Sequence, residues 1–178
     1  MRKQQSGFTI IELVVVIILL GIMAATALPR FMNVTTQAHS SVVEGVQGGL
    51  QSGAALFHAQ WIAEGQPAAE TAIVTFNSLK TTALGYPCGT TCTSGAITNQ
   101  ADCAAIYSGL LQPGSPSVTA TGTTAASAVA NASDFAAVFA TPNCVYYYTA
   151  EKSVSGDTVQ TLTYAVATGT VTAGTSAI

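Results

Sequence analysis

The sequence predicts an α+β fold, in which one long N-terminal helix packs on a C-terminal antiparallel β-sheet. Three observations lead to this fold class. Residues 8–28 are almost entirely apolar, an amphipathic helical pattern continues to about residue 62, and segments typical of β-strands follow near the C-terminus. The second half of the helix has a single apolar face, which needs a cover. The sheet has an apolar face of its own, so the two should bury each other.

The composition is unusual for a soluble domain. Only 7% of the 178 residues are charged and the formal net charge is −3, whereas soluble domains average about 25% charged residues. The basic residues are few and scattered: Arg2, Lys3, Arg30, Lys80 and Lys152. Without a basic patch, nucleic-acid binding is disfavoured. All four cysteines follow the apolar segment, which indicates disulfides in an oxidising compartment.

The apolar segment Phe8–Leu28 is long enough to cross a membrane. As a helix, its 21 residues would span about 31 Å, close to the thickness of the hydrocarbon core. Arg2 and Lys3 precede it, so the N-terminus should stay cytoplasmic while the rest is exported. Glu12 interrupts the segment, and a carboxylate at membrane depth costs about 2.5–3.5 kcal/mol.

Two simpler interpretations exist. One is a secretory signal peptide cut after Ala27, with Ala25 and Ala27 as the small residues at the cut; the other is a plain membrane anchor. Neither explains Glu12, nor why an amphipathic pattern continues after Pro29. The apolar positions of that pattern are Phe31, Val34, Ala38, Val42, Val46, Leu50, Ala54, Phe57 and Trp61. We therefore predict one helix over residues 9–62, which Pro29 can kink because it lacks an amide hydrogen.

The stretch GFTIIELVVVIILLGIMAATALPRF resembles the N-terminus of type IV prepilins. The matching positions are the end of a short basic leader, the start of the apolar run and its two helix-distorting residues: Gly7, Phe8, Thr9, Glu12, Gly21 and Pro29. The resemblance implies cleavage between Gly7 and Phe8 by a prepilin peptidase, N-methylation of Phe8, and helix kinks at Gly21 and Pro29. The short leader, length and cysteines are similar to the type IVa class, and within it to pilins of the mannose-sensitive haemagglutinin type.

This resemblance also divides the chain. It implies a cleaved leader (1–7), a transmembrane half of the helix that forms the filament core (8–28), an amphipathic half (29–62) and a globular head (63–178). The head would contain an αβ-loop, the sheet and a variable region bounded by a disulfide.

Glu12 has an expected role in assembly. Cleavage leaves a cationic amine at Phe8, and methylation keeps its charge. A buried carboxylate paired with that amine costs far less than an unpaired one, so the pair would fix the stagger between subunits. The physical argument allows a pair within or between subunits, and the resemblance favours the pair between subunits.

In the head, Thr71–Phe76 is a plausible strand and Leu84–Gly95 has turn residues. The segment 102–111 is compatible with helix or strand, and the Ala/Thr/Ser-rich segment Ser115–Ser133 indicates a surface loop. The clearest strands are CVYYYTAEK and TVQTLTYAVA, joined by a connection at Ser153–Asp157, with a further tight hairpin at Thr168–Gly169.

Four cysteines allow three pairings. We predict Cys88–Cys92, where Gly89 permits a tight return, and Cys103–Cys144. The second pair joins the start of the expected variable region to the first residue of a strand.

The sequence contains no recognisable catalytic motif. His39 and His58 lie in no nucleophile motif, Cys88 and Cys92 lack a second zinc-binding pair, and GVQGG (45–49) is no phosphate loop. We therefore predict no enzyme, metal site or cofactor.

The interpretation is a structural subunit of a bacterial type IV pilus, first in the inner membrane and then on the cell surface, for adhesion and biofilm formation. The resemblance implies these partners: further copies of the chain, prepilin peptidase, a membrane platform, an assembly ATPase and minor pilins. The alternatives are a minor pilin, a pseudopilin of a type II secretion system, and a secreted soluble domain released after Ala27.

Overall fold

A computed structural model describes residues 7–120, 124, 126–127, 130, 134–150, 156 and 158–178, without the side chains of residues 32 and 33. Residues 1–6 of the expected leader and most of the connection Ser153–Asp157 lie outside this part. The chain forms two compact units, residues 1–39 and 40–178. The boundary falls inside the first helix, whose amphipathic end belongs to the second unit.

Helix α1 runs from Ile10 to Ala63, close to the predicted 9–62. It is continuous through Gly21 and Pro29, although Pro29 cannot donate to the carbonyl group one turn earlier. Among the described residues, α1 is the one helix that is long and apolar enough to cross a membrane. Its most apolar stretch of 18 residues has a mean hydropathy of 2.7.

In the second unit, α1 buries one face in the head. The buried residues are Val43, Val46, Leu50, Ala54, Phe57 and Trp61. The sequence pattern was right from Val46 onward but wrong at Val42, which is 38% exposed. Each residue turns a helix by about 100°, so repeated steps of four drift about 40° from the buried face. A step of three from Val43 to Val46 corrects that drift.

A small antiparallel sheet follows α1. Its strands are β1 (Ala72–Ile73), β2 (Leu79–Thr81) and β3 (Pro87–Gly89), in that order. The predicted strand over 71–76 is wrong beyond Ile73, because Val74–Phe76 forms a 3₁₀ turn. Asn77 and Ser78 then take positive φ angles of 55° and 58°, and the chain turns back so that Leu79 pairs with Ile73.

Helix α2 spans Gln100–Leu110, which resolves the segment that the sequence left open between helix and strand. Asn99 caps its start, since the Asn99 side chain accepts a hydrogen bond from the Asp102 amide at 3.0 Å. Ile106, Tyr107 and Leu110 are buried on one side of α2.

The main sheet has five strands within the described residues. In sheet order they are β4 (Val118–Ala120), β5 (Phe135–Ala140), β6 (Asn143–Tyr148), β7 (Thr158–Ala165) and β8 (Thr170–Ala177). Strand β4 is parallel to β5 and the other pairs are antiparallel. The sheet is therefore mixed, and β4 lies inside the segment expected to be a loop.

The C-terminal strands agree with the sequence analysis. The β7–β8 hairpin turns at residues 166–169, where Gly169 has a φ of 66° and donates its amide hydrogen to the Ala165 carbonyl at 2.8 Å. In β6, Tyr146 and Tyr148 are buried and Tyr147 is half-buried. This alternation is typical of a strand with one face in the core.

Two buried tyrosines connect the sheet to the smaller elements. The Tyr146 hydroxyl donates to the Cys103 carbonyl at 2.9 Å, and the Tyr164 hydroxyl donates to the Pro87 carbonyl at 3.0 Å. Burial raises the pKa of both hydroxyl groups well above their ordinary value, so both stay neutral donors at any physiological pH.

Candidate functional site

The N-terminal end of α1 contains the residue that interrupts the apolar run. The Glu12 carboxylate accepts hydrogen bonds from the Thr9 amide at 2.9 Å and the Thr9 hydroxyl at 2.8 Å. In return, the Glu12 amide donates to the Thr9 hydroxyl oxygen at 3.3 Å. This reciprocal arrangement is a capping box, which satisfies amide groups that the first turn of a helix leaves open.

The capping box gives Glu12 a partner that the sequence analysis does not consider, because Thr9 of the same chain supplies two donors. Both donors are neutral, however, so the charge of the carboxylate is not balanced by them. Thr9 follows Phe8, and the box would therefore survive a cut between Gly7 and Phe8.

The apolar side chains around this box are uncovered in the first unit. Phe8 is 86% exposed, Ile10 83% and Leu20 60%, and no residue of the most apolar window of α1 is buried. Monomeric soluble proteins rarely expose an apolar surface of this length. The surface needs a lipid bilayer or other protein chains as its cover.

The head contains two disulfides. Cys88 is bonded to Cys92, with Cα atoms 5.8 Å apart, and Cys103 is bonded to Cys144, with Cα atoms 5.5 Å apart. These are the same pairs that the sequence analysis proposes. The second bond joins α2 to β6, so both ends of the segment between these two cysteines are fixed in the buried core.

Asp102, in the first turn of α2, is an important residue of the head that the sequence analysis missed. Its buried carboxyl group accepts hydrogen bonds from the amide and hydroxyl of Thr91, both at 2.8 Å, and from the amide and hydroxyl of Thr98, at 3.2 and 3.1 Å. Asp102 therefore connects the Cys88–Cys92 loop to the start of α2. The available signal was the spacing Asn99-x-x-Asp102, which is that of a helix cap followed by an acid.

We expect Asp102→Ala to destabilise the head by about 1–3 kcal/mol, because buried hydrogen bonds are lost and not replaced. Thermal unfolding of the purified full-length protein would measure this. Asp134→Ala is a matched control, since Asp134 accepts from the amide and hydroxyl of one exposed residue, Ser117. Equal losses in the two variants would contradict a special role for Asp102.

His58 packs against two aromatic side chains near the end of α1. Its ring stacks on Tyr86 with centroids 4.6 Å apart and on Trp61 with centroids 5.4 Å apart. Its Nδ1 lies 3.3 Å from the Gly85 carbonyl oxygen. His58 thus joins the end of α1 to the loop before β3.

Comparison with known proteins connects the N-terminal site to a family. The family described as "Prokaryotic N-terminal methylation motif" matches residues 2–28. The chain is 50% identical over 44 residues to type II secretion system core protein G of Pseudomonas aeruginosa, covering 25% of this chain and 31% of that protein. It is 42% identical over 50 residues to the type IV narrow pilus major component PilA5 of Thermus thermophilus, covering 28% and 43%.

A third similarity extends into the head. The chain is 31% identical over 104 residues to fimbrial protein EcpC of Eikenella corrodens, covering 55% of this chain and 63% of that protein. Each similarity spans less than two thirds of the relative's length, and no solved structure matches. The chain thus resembles type IV pilins in its methylation motif at the capped start of α1, in its α+β architecture and in its similarity to PilA5 and EcpC, and these three features together support the type IV pilin family.

Proposed function

We propose that this chain is the structural subunit of a bacterial type IV pilus and acts by polymerisation, not as an enzyme. The observation that carries the proposal is the exposed apolar half of α1 with a charged, capped residue at its start. In a precursor this surface is covered by the inner membrane. In a filament it is covered by the same segment of neighbouring subunits.

Processing separates these two states. Prepilin peptidase cuts between Gly7 and Phe8 and methylates the new amine of Phe8, and the charged leader is lost. A membrane platform and an assembly ATPase then move the subunit into the growing filament, together with minor pilins. The pilus serves surface adhesion and biofilm formation, and the head faces outward.

A pseudopilin of a type II secretion system is the second candidate, since core protein G shares 50% identity with the chain. That similarity covers only 25% of the chain. The similarity to EcpC covers 55% of the chain and therefore includes part of the head, which favours the pilus subunit. Membership of the type IVa class and of the mannose-sensitive haemagglutinin type stays a prediction.

Electron microscopy of sheared surface filaments, with mass spectrometry of their subunit, tests this function. We expect filaments whose main subunit begins at methylated Phe8. If the chain instead stays in the inner membrane of cells that export proteins by type II secretion and forms no surface filaments, the pseudopilin is favoured. A soluble product beginning at Leu28 would refute both.

Substituting Gly7 tests the processing step. A peptidase that cuts before the apolar run needs a small residue at the cut, so Gly7→Val should leave the uncut precursor in the inner membrane and abolish filaments. Gly7→Ala, which keeps a small side chain, is the control and should still be cut. Intact-mass measurement of the membrane fraction distinguishes them, and a Gly7→Val product that begins at Phe8 would contradict the proposal.

A further inference from the structure

Strand β8 forms one edge of the main sheet. It pairs with β7 along its full length, from Thr170 opposite Ala165 to Ala177 opposite Thr158. The other edge of the sheet is β4, of which three residues lie in the described part of the chain. A long edge presents a row of backbone groups to which another strand can add.

Two helix side chains show which way the backbone groups of β8 point. The Val171 amide donates to Gln51 Oε1 at 2.8 Å, and the Val171 carbonyl accepts from Gln47 Nε2 at 3.2 Å. These groups therefore point away from β7. Because the direction alternates along an antiparallel strand, the backbone groups of Ala173, Thr175 and Ala177 point the same way.

Most of this outward row is open. Beyond Val171, one outward backbone group has a hydrogen bond among the described residues: the Ala177 carbonyl accepts from the Ser176 hydroxyl at 3.2 Å. The amide and carbonyl groups of Ala173 and Thr175 have no partner within that part of the chain. The part of β8 that can pair with another strand therefore begins after Val171, whose backbone groups are bonded to Gln47 and Gln51.

Features that normally protect an edge are missing from β8. Proteins block edge strands with lysine, proline, bulges or inward charges. Residues 158–178 contain no charged residue and no proline, and the β7–β8 register is continuous. The exposed side chains at 172–175 are Thr, Ala, Gly and Thr. An approaching strand meets neither charge nor bulk there.

We propose that β8 pairs antiparallel with β8 of a second copy of this chain, in the register that places Thr175 opposite Thr175. This register sets Ala173 opposite Ala177 on each side of a two-fold axis, so it uses all the outward positions that the glutamines leave open. Each such pair can exchange two backbone hydrogen bonds. The same edge serves both partners, as in an isologous interface.

The second copy comes from a neighbouring filament, and this step rests on the proposed function. A filament repeats the β8 edge at every subunit. Contacts that are weak singly then act together along two filaments lying side by side. The consequence is lateral bundling of filaments through the sheet edge, independent of the packing of α1.

Disulfide trapping tests the register. The Thr175 Cα atoms would lie about 5.5 Å apart, within the range of a disulfide. Thr172 would lie opposite Ile178, so two copies of Thr172 would be about 20 Å apart. Both residues are exposed on β8. We expect Thr175→Cys in the full-length protein to give a covalent dimer on a non-reducing gel of sheared filaments, whereas Thr172→Cys gives none.

A proline variant tests the consequence. The Thr175 amide points away from β7, so Thr175→Pro removes an outward donor without removing a bond to β7. Its filaments should form at the wild-type yield but stay single under the electron microscope. Thr175→Ala keeps the amide and should bundle like the wild type.

The outcomes separate this inference from the proposed function. The β8 pairing is refuted if both cysteine variants give equal dimer, if neither gives dimer, or if Thr175→Pro filaments still form bundles. The filaments observed in these experiments still support the proposed function. If the wild type makes no filaments, the proposed function fails. The same gel on membrane-extracted full-length protein then decides the edge pairing by the same criterion.

Discussion

Replacing Glu12 with valine should give a subunit that is cut and inserted normally but does not assemble into filaments. Valine removes the only charge from the apolar run, so insertion into the membrane becomes easier by about 2.5–3.5 kcal/mol. If Glu12 pairs with the Phe8 amine of a neighbouring subunit, as the sequence analysis expects, assembly loses one partner of that pair. Comparing the amount of processed subunit in the membrane with the amount in sheared filaments measures the effect.

The capping box makes a sharper control possible. Glu12→Gln keeps a side chain that can cap Thr9, since glutamine serves at this position of a capping box, but it removes the charge. If the charge pair sets the stagger, both variants fail to assemble. Wild-type filament yield from Glu12→Gln would instead assign the role of Glu12 to the helix cap. An uncut Glu12→Val precursor would place Glu12 in peptidase recognition.

Removing the Cys103–Cys144 bond should destabilise the head more than removing the Cys88–Cys92 bond. The sequence separations are 41 and 4 residues. On the chain-entropy account, loops of these lengths contribute about 4 and about 2 kcal/mol respectively. We therefore expect Cys144→Ser to lower the melting temperature and the filament yield more than Cys92→Ser does.

Two controls accompany this comparison. The paired variants Cys103→Ser/Cys144→Ser and Cys88→Ser/Cys92→Ser leave no free thiol that could exchange. All four cysteines are buried, so the cost of burying serine is matched. A peptide map under non-reducing conditions checks the pairing itself, and a bond between Cys88 or Cys92 and either of the other two would refute it.

The long helix and the C-terminal hairpin could be read from the sequence because their signals are local. Apart from Glu12 and Thr26, residues 10–28 are apolar or small, and the strands of 158–177 flank a turn that contains Gly169. The structure agrees with both.

Other elements depend on contacts between distant residues. The strand Phe135–Ala140 carries four consecutive buried residues, and such a run has no alternation to detect. β4 is too short to recognise alone and exists because Val118 pairs with Phe135. The hydrogen bonds of Asp102 to Thr91 and Thr98 required the loop to fold back over α2, which no local pattern specifies.

The bond between Cys103 and Cys144 has a consequence for how the head can change over time. The bond holds the Cα atoms of Cys103 and Cys144 5.5 Å apart. Within the segment between these cysteines, the pairing of β4 with β5 places residue 120 opposite residue 137. Each doubling of a flexible loop costs only about 0.6 kcal/mol. A peptide inserted between residues 120 and 137 would therefore join two positions that the sheet already holds together, so this connection is a natural insertion point for antigen display.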